Sequence, residues 1–156
     1  MNPKYSVEEI ERRWLVDVSQ IGDYQTSPQR TIQDRYLSGT GLRLRKIQPT
    51  EGETIYKLGK KYGKRTSFVE PITNIYLSPQ EYTALVGLDG RSVRKVRYNF
   101  AGGSLDMYSN PNDGLAIFEL EFASLEAANS YVPPPFVREE ITDNPHYSGA
   151  ALAFPL

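Results

Sequence analysis

Polar and apolar residues alternate along much of this chain with the period of a β-strand, in which successive side chains point to opposite faces. In Glu9-Ile10-Glu11-Arg12-Arg13-Trp14-Leu15-Val16 the alternation puts Glu9, Glu11 and Arg13 on one face and Ile10, Arg12 and Trp14 on the other. Leu42-Arg43-Leu44-Arg45 sets two guanidiniums opposite two leucines, and Arg94-Lys95-Val96-Arg97 pairs Lys95 with Arg97 in the same way. Phe118-Glu119-Leu120-Glu121-Phe122 backs two carboxylates with three large apolar residues. A half-exposed sheet spends its wet face on mixed polar residues. Here the polar faces are sorted into acid pairs and base pairs.

For any one of these strands, a solvated face with cross-strand ion pairs is the ordinary account. Agreement among several strands changes the picture. Gathered carboxylates suit divalent cations, which prefer oxygen ligands, and gathered Arg and Lys suit phosphate. A sheet that closes with its ionic faces inward forms a barrel whose lumen takes a metal and a polyanion together.

The remaining pattern fits that architecture. Strands are expected from the start of the Glu9 segment to about Val18, over Thr31–Leu37, Leu42–Ile47, Glu53–Lys61, Phe68–Leu77, Val93–Phe100, Ser104–Tyr108, Leu115–Ala123 and Phe136–Thr142. Ser38-Gly39-Thr40-Gly41 and Ala101-Gly102-Gly103 are hairpin turns, and Asn110 to Gly114 is a further turn. Ser78-Pro79-Gln80-Glu81 is a helix start, with a serine cap, proline at the first position and glutamate three residues after the cap. Tyr82, Leu85 and Val86 follow at helical spacing, a stripe that packs on the outside of the sheet. Short helices are also expected over Ser124–Asn129 and from Asn144 to about Phe154. The fold class is α+β, mainly β: a closed antiparallel barrel with helices outside.

At 156 residues the chain is expected to form one domain. Its 18 Lys and Arg balance 19 Asp and Glu, so no global basic field recruits a nucleic-acid polymer and any polyanion site is local. The absence of cysteine excludes disulfides, thiolate metal sites and cysteine nucleophiles, and a single histidine excludes a multi-histidine zinc site. Neither a signal-peptide pattern nor a membrane-length apolar run is present, so a cytoplasmic protein with no membrane partner is expected.

The segment from Glu9 to Val16 is similar to the ExExK signature of the CYTH superfamily, the triphosphate tunnel metalloenzymes, whose usual form is EIERKFLV. The agreement continues in order through Ile32 to Leu37, Leu42 to Arg45, Leu77 to Tyr82, Lys95 to Tyr98, Leu105 to Tyr108, Glu119 to Glu121, Glu140 to Asp143 and Tyr147-Ser148. ExExK alone is weak, but the ordered set spans nearly the whole chain. The resemblance implies an eight-stranded tunnel that binds a triphosphate-containing small molecule with Mg2+ or Mn2+. The implied reaction is hydrolysis of inorganic or organic triphosphate or, in one branch, cyclisation of ATP. It also implies Glu9, Glu11, Glu119, Glu121 and Glu140 as metal ligands, and Arg43, Arg45, Lys57, Lys95 and Arg97 as phosphate ligands.

Arg13 and Tyr36 are the residues placed nearest the chemistry. Arg13 stands at the lysine position of ExExK, and arginine does not give up a proton at working pH: Arg13 serves if the family lysine orients phosphate, the reading preferred, and activity is weakened or lost if that lysine moves a proton. Tyr36, by its family counterpart, points its hydroxyl near the attacking water, against the ordinary alternative of strand packing. Asp106 shares a face with Tyr108 and is available to hold a basic residue in place, Glu70 beside Pro71 receives no role, His146 is a surface residue, and Trp14 faces away from the acids beneath an outer helix. Three other readings stay open: a class IV-like adenylyl cyclase, a non-catalytic polyphosphate or nucleotide binder, and a lipocalin-like carrier of apolar ligands. A monomer or a homodimer fits equally well.

Overall fold

The computed structural model describes residues 1–109 and 111–155; the Asn110 end of the expected turn lies outside the described residues. The described residues form ten strands: β1 Val7–Val16, β2 Gln29–Leu37, β3 Leu42–Pro49, β4 Ile55–Lys61, β5 Val69–Leu77, β6 Gly90–Phe100, β7 Gly103–Tyr108, β8 Ala116–Glu121, β9 Val137–Glu140 and β10 Phe154–Pro155. Antiparallel pairing runs β6-β2-β3-β4-β5-β1-β8-β7, and β7 returns to β6, which closes an eight-stranded barrel. β9 and β10 add to β1 and β6 outside that ring.

The helices are α1 Pro79–Val86, α2 Leu125–Ser130 and α3 Gly149–Leu152, with single 3-10 turns over Val18–Gln20 and Pro145–Tyr147. At α1 the Ser78 hydroxyl accepts from the Glu81 N–H while the Glu81 carboxylate accepts from the Ser78 N–H, the reciprocal cap read from sequence. α1 lies against the outside of β3, β4 and β5, with the Tyr82 ring tilted 40° against that of Tyr56 at a centroid distance of 4.6 Å. The single apolar helix expected up to Phe154 is instead a 3-10 turn, the one-turn α3 and the short β10. The Asn144 side chain caps the first and the Ser148 side chain the second, so two caps four residues apart break the segment. Among the described residues no helix is long and apolar enough to cross a membrane.

The principal apolar core sits outside the barrel wall. Trp14, Val16, Leu105, Ala116 and Phe118 are buried there under the loop bearing Val18, Ile21 and Tyr24 and the segment bearing Tyr131, Phe136 and Val137. Trp14 is 1% exposed, its ring 6.0 Å from Phe118 and 5.8 Å from Tyr131, just beyond α2. A second cluster of Val93, Tyr108, Ile117, Ile141, Leu152 and Ala153, with Leu15, Tyr36 and Tyr147 against it, joins inward-facing strand positions to the C-terminal segment. The second cluster occupies part of the inward face, and the inward positions beyond it on β1, β6 and β8 carry charge.

Candidate functional site

Strand register decides which charges meet. On β1 and β8, Glu11 lies opposite Glu121 and Arg13 opposite Glu119, so the odd positions of both strands share the inward face. Asp34 lies opposite Arg45 and Tyr36 opposite Arg43 across β2 and β3, and Arg45 lies opposite Lys57 on β4. Arg97 lies opposite Asp106, and Lys95 opposite Tyr108, across β6 and β7. Period two then places Glu9, Glu11, Arg13, Arg43, Arg45, Lys57, Lys95, Arg97, Glu119 and Glu121 in one lumen.

One end of the lumen is acidic. Glu9, Glu11 and Glu121 each offer a carboxylate oxygen, and these oxygens lie within 4.8 Å of one another. Burial, then the charge of Glu119, pushes the Glu11 carboxyl up from 4.5 to about 7, with Lys61 opposing. Lys61 sits among the acids, with its Nζ 2.6 Å from Glu9, 3.7 Å from Glu11 and 3.9 Å from Glu70. Burial works against its charge, but Glu11 and Glu9 outweigh that and hold its pKa well above the usual lysine value. The group is all hard oxygen, the donor set that suits Mg2+ or Mn2+.

Deeper in, acids serve as anchors for cations. Asp106, fully buried, accepts two hydrogen bonds from Arg97 at 2.6 and 2.7 Å and lies 2.5 Å from Lys95 Nζ. Asp34 accepts two from Arg45 at 2.6 and 2.7 Å. Glu119 is 3.1 Å from Arg97 and 3.8 Å from both Arg13 and Lys95. Burial alone would raise the Glu119 carboxyl, but Arg97, Lys95 and Arg13 reverse that and hold it far below the carboxylate range. Glu119 therefore stands as the counter-ion of three cations, beside the acidic group and outside its mutual 4.8 Å cluster.

Arg43 and Lys57 are different. Among the described residues neither has an acid in ion-pair contact: Arg43 donates a long 3.4 Å bond to Asn74, and Lys57 lies 5.1 Å over the Tyr76 ring. Arg43 Nε is a buried donor with no protein partner. That is a poor arrangement for a folded chain and a good one for a chain that receives an anion. Gly59 makes room for it, because a Cβ there would stand 2.5 Å from Asn74 Oδ1 and 3.1 Å from Arg43 Nη2.

One expected residue falls elsewhere. Glu140 on β9 lies opposite Trp14, on the outer face, and its carboxylate takes 2.7 and 2.8 Å bonds from Arg12, which itself stacks over Trp14 and Phe68. It does not join the acidic cluster, because the register of the added strand β9 sets its side chain on the wrong side of the wall. Tyr36 faces inward but belongs to the apolar cluster, its hydroxyl packed against Gly149, and burial followed by the charge of Asp34 raises its pKa. Arg13 lies in the lumen, and its Nη1 donates at 3.0 Å to the Tyr147 carbonyl of the C-terminal segment.

Sequence reasoning passed over Lys61, Asp34 and Glu70. Lys61 stands in sequence among Lys57, Lys60, Lys64 and Arg65, which masks it, although counting by twos from Lys57 assigns it inward. Pro71 marks Glu70 as an edge or bulge position by sequence, yet Glu70 lies opposite Glu9 in the ladder and also accepts from the Gly63 N–H. Asp34 carries a usable signal, since it sits two residues from Tyr36 and opposite Arg45 in a hairpin.

No family model matches the chain. An inorganic triphosphatase of Nitrosomonas europaea is 29% identical over 167 residues, covering 95% of this chain and 98% of that one. The crystal structure of an inorganic triphosphatase superposes with a TM-score of 0.60 at 27% identity, covering 96% of this chain and 97% of the other. The chain has the fold of the CYTH superfamily. A candidate adenylate cyclase from Bacillus halodurans superposes with a TM-score of 0.54 at 20% identity, over 83% of this chain and 95% of that one, a likeness of fold alone.

Proposed function

We propose that this chain hydrolyses inorganic triphosphate in its lumen, with Mg2+ or Mn2+ held by Glu9, Glu11 and Glu121. The observation that carries this reading is the juxtaposition, inside one closed barrel, of an acidic cluster with the acid-free Arg43 and Lys57. Full-length similarity to an inorganic triphosphatase supports the choice of substrate. When bound, the divalent cation supplies charge stabilisation at the phosphoryl oxygens.

The chain's own residues do the rest. Arg43, Lys57, Arg45, Lys95 and Arg97 line the walls where phosphate oxygens lie, and the last three are held in fixed orientation by Asp34, Asp106 and Glu119. Positions held in advance lower the cost of reorganisation as charge develops in the transition state. Water attacks the terminal phosphorus, the bridging P–O bond breaks, and orthophosphate and pyrophosphate leave. Arg13 remains protonated throughout and contributes charge and orientation.

The test is incubation with tripolyphosphate, ATP and thiamine triphosphate, each with Mg2+, with Mn2+ and with chelator. Equal release of orthophosphate and pyrophosphate from tripolyphosphate, lost on chelation, supports the reading. Binding without turnover, with activity gained by Arg13→Lys, would establish the non-catalytic binder. Pyrophosphate with cyclic AMP from ATP would establish the cyclase.

A further inference from the structure

The acidic end of the lumen already contains a cation of the chain's own. Lys61 Nζ touches Glu9 Oε2 at 2.6 Å and lies within 4 Å of Glu11 and Glu70, and Glu9 and Glu11 also belong to the group of three carboxylates. A small divalent ion contacts carboxylate oxygen at about 2.1 Å, so an ion on the Glu9 carboxylate and an ammonium already on its Oε2 crowd two positive charges into a few ångströms of partly dehydrated space. One of them has to leave.

We infer that Lys61 is a resident counter-ion that a divalent cation displaces, so that metal entry releases this ammonium to the phosphate-binding wall. The inference rests on the metal assignment above and adds an exchange to it. Lys61 is suited to the move: its side chain is 42% exposed, and its charge rides on a flexible four-carbon stem. Its destination is set by β4, where Lys57, Gly59 and Lys61 share the inward face. The exchange lowers metal affinity in the absence of substrate and makes polyphosphate and metal favour each other's binding.

The experiment measures Mn2+ binding to the metal-free protein, without polyphosphate, by titration calorimetry and by the electron spin resonance of free Mn2+. Lys61→Met should bind Mn2+ roughly ten-fold or more tightly than the parent, since a repelling charge has been removed. Lys60→Met, on the outer face of the same strand, should match the parent. Tripolyphosphate affinity in the presence of Mg2+ should fall in Lys61→Met. Circular dichroism checks the barrel, and Lys61→Gln substitutes in the same assay where methionine disturbs it. Equal or weaker Mn2+ binding in a folded Lys61 variant overturns the exchange while leaving the metal assignment intact. No Mn2+ binding by parent or variant overturns both.

Discussion

Glu11→Gln should make the metal-free protein more stable, and the gain should depend on pH. With its pKa raised from 4.5 to about 7 by burial and by Glu119, the carboxyl keeps its proton in the folded chain over a range where the unfolded chain has released it. Above pH 7 the folded state bears a cost of ~3 kcal/mol, at about 1.4 kcal/mol per pH unit between the two pKa values. At pH 5 only ~0.7 kcal/mol of that cost has developed, and below the ordinary carboxyl range none remains. Glutamine never ionises and can donate to neighbouring carboxylates, so it removes the cost. For a chain of this size ~3 kcal/mol corresponds to a rise in Tm of ~6–12 °C. Calorimetric melting of parent and variant at pH 8 and pH 5, in chelator, measures the difference. Addition of Mn2+ should then raise the parent's Tm and close the gap, because the variant lacks one ligand. A variant no more stable than the parent at pH 8, or a gain as large at pH 5 as at pH 8, refutes the reasoning.

Four other outcomes follow from the same geometry. Arg43→Ala, which removes a buried donor without an acid partner, should lower kcat/KM for tripolyphosphate roughly 30-fold, from about 2 kcal/mol for a charge-assisted hydrogen bond, while leaving the melting temperature nearly unchanged. Asp106→Asn strips the shared counter-ion from Lys95 and Arg97 and should destabilise the chain by about 3–5 kcal/mol in urea unfolding. Glu140→Gln should leave Mn2+ affinity within about two-fold in calorimetric titration and lower stability by ~1 kcal/mol or less, because its ion pair with Arg12 is partly exposed on the outer wall. Gly149→Ala should cost about 1–3 kcal/mol from overpacking, since its Cβ would stand 1.9 Å from the Tyr36 hydroxyl oxygen; Tyr36→Phe in the same chain should recover part of that loss in the melting curve.

The sequence by itself determined which charges share a face. Period-two spacing in Glu9 to Arg13, Arg43 to Arg45, Lys95 to Arg97 and Glu119 to Glu121 obliges each group to lie together; ring closure, with Trp14, Leu105 and Phe118 buried under the outer segments, turns those faces inward. The cap at Ser78 and the burial of Trp14 were legible for the same reason: both depend on residues close in sequence or on one strand's own pattern. Only the tertiary structure decided which acid meets which base. Glu119 is the counter-ion of Arg97, Lys95 and Arg13 because three strands bring those cations to it, and nothing within Glu119-Leu120-Glu121 distinguishes it from Glu121, which joins the acidic cluster. Glu140 reads as one more acid of the set until the register of β9 turns it outward onto Arg12. Period along a strand is local and is written in the order of residues; pairing across strands is a long-range choice of register, fixed when the whole barrel closes.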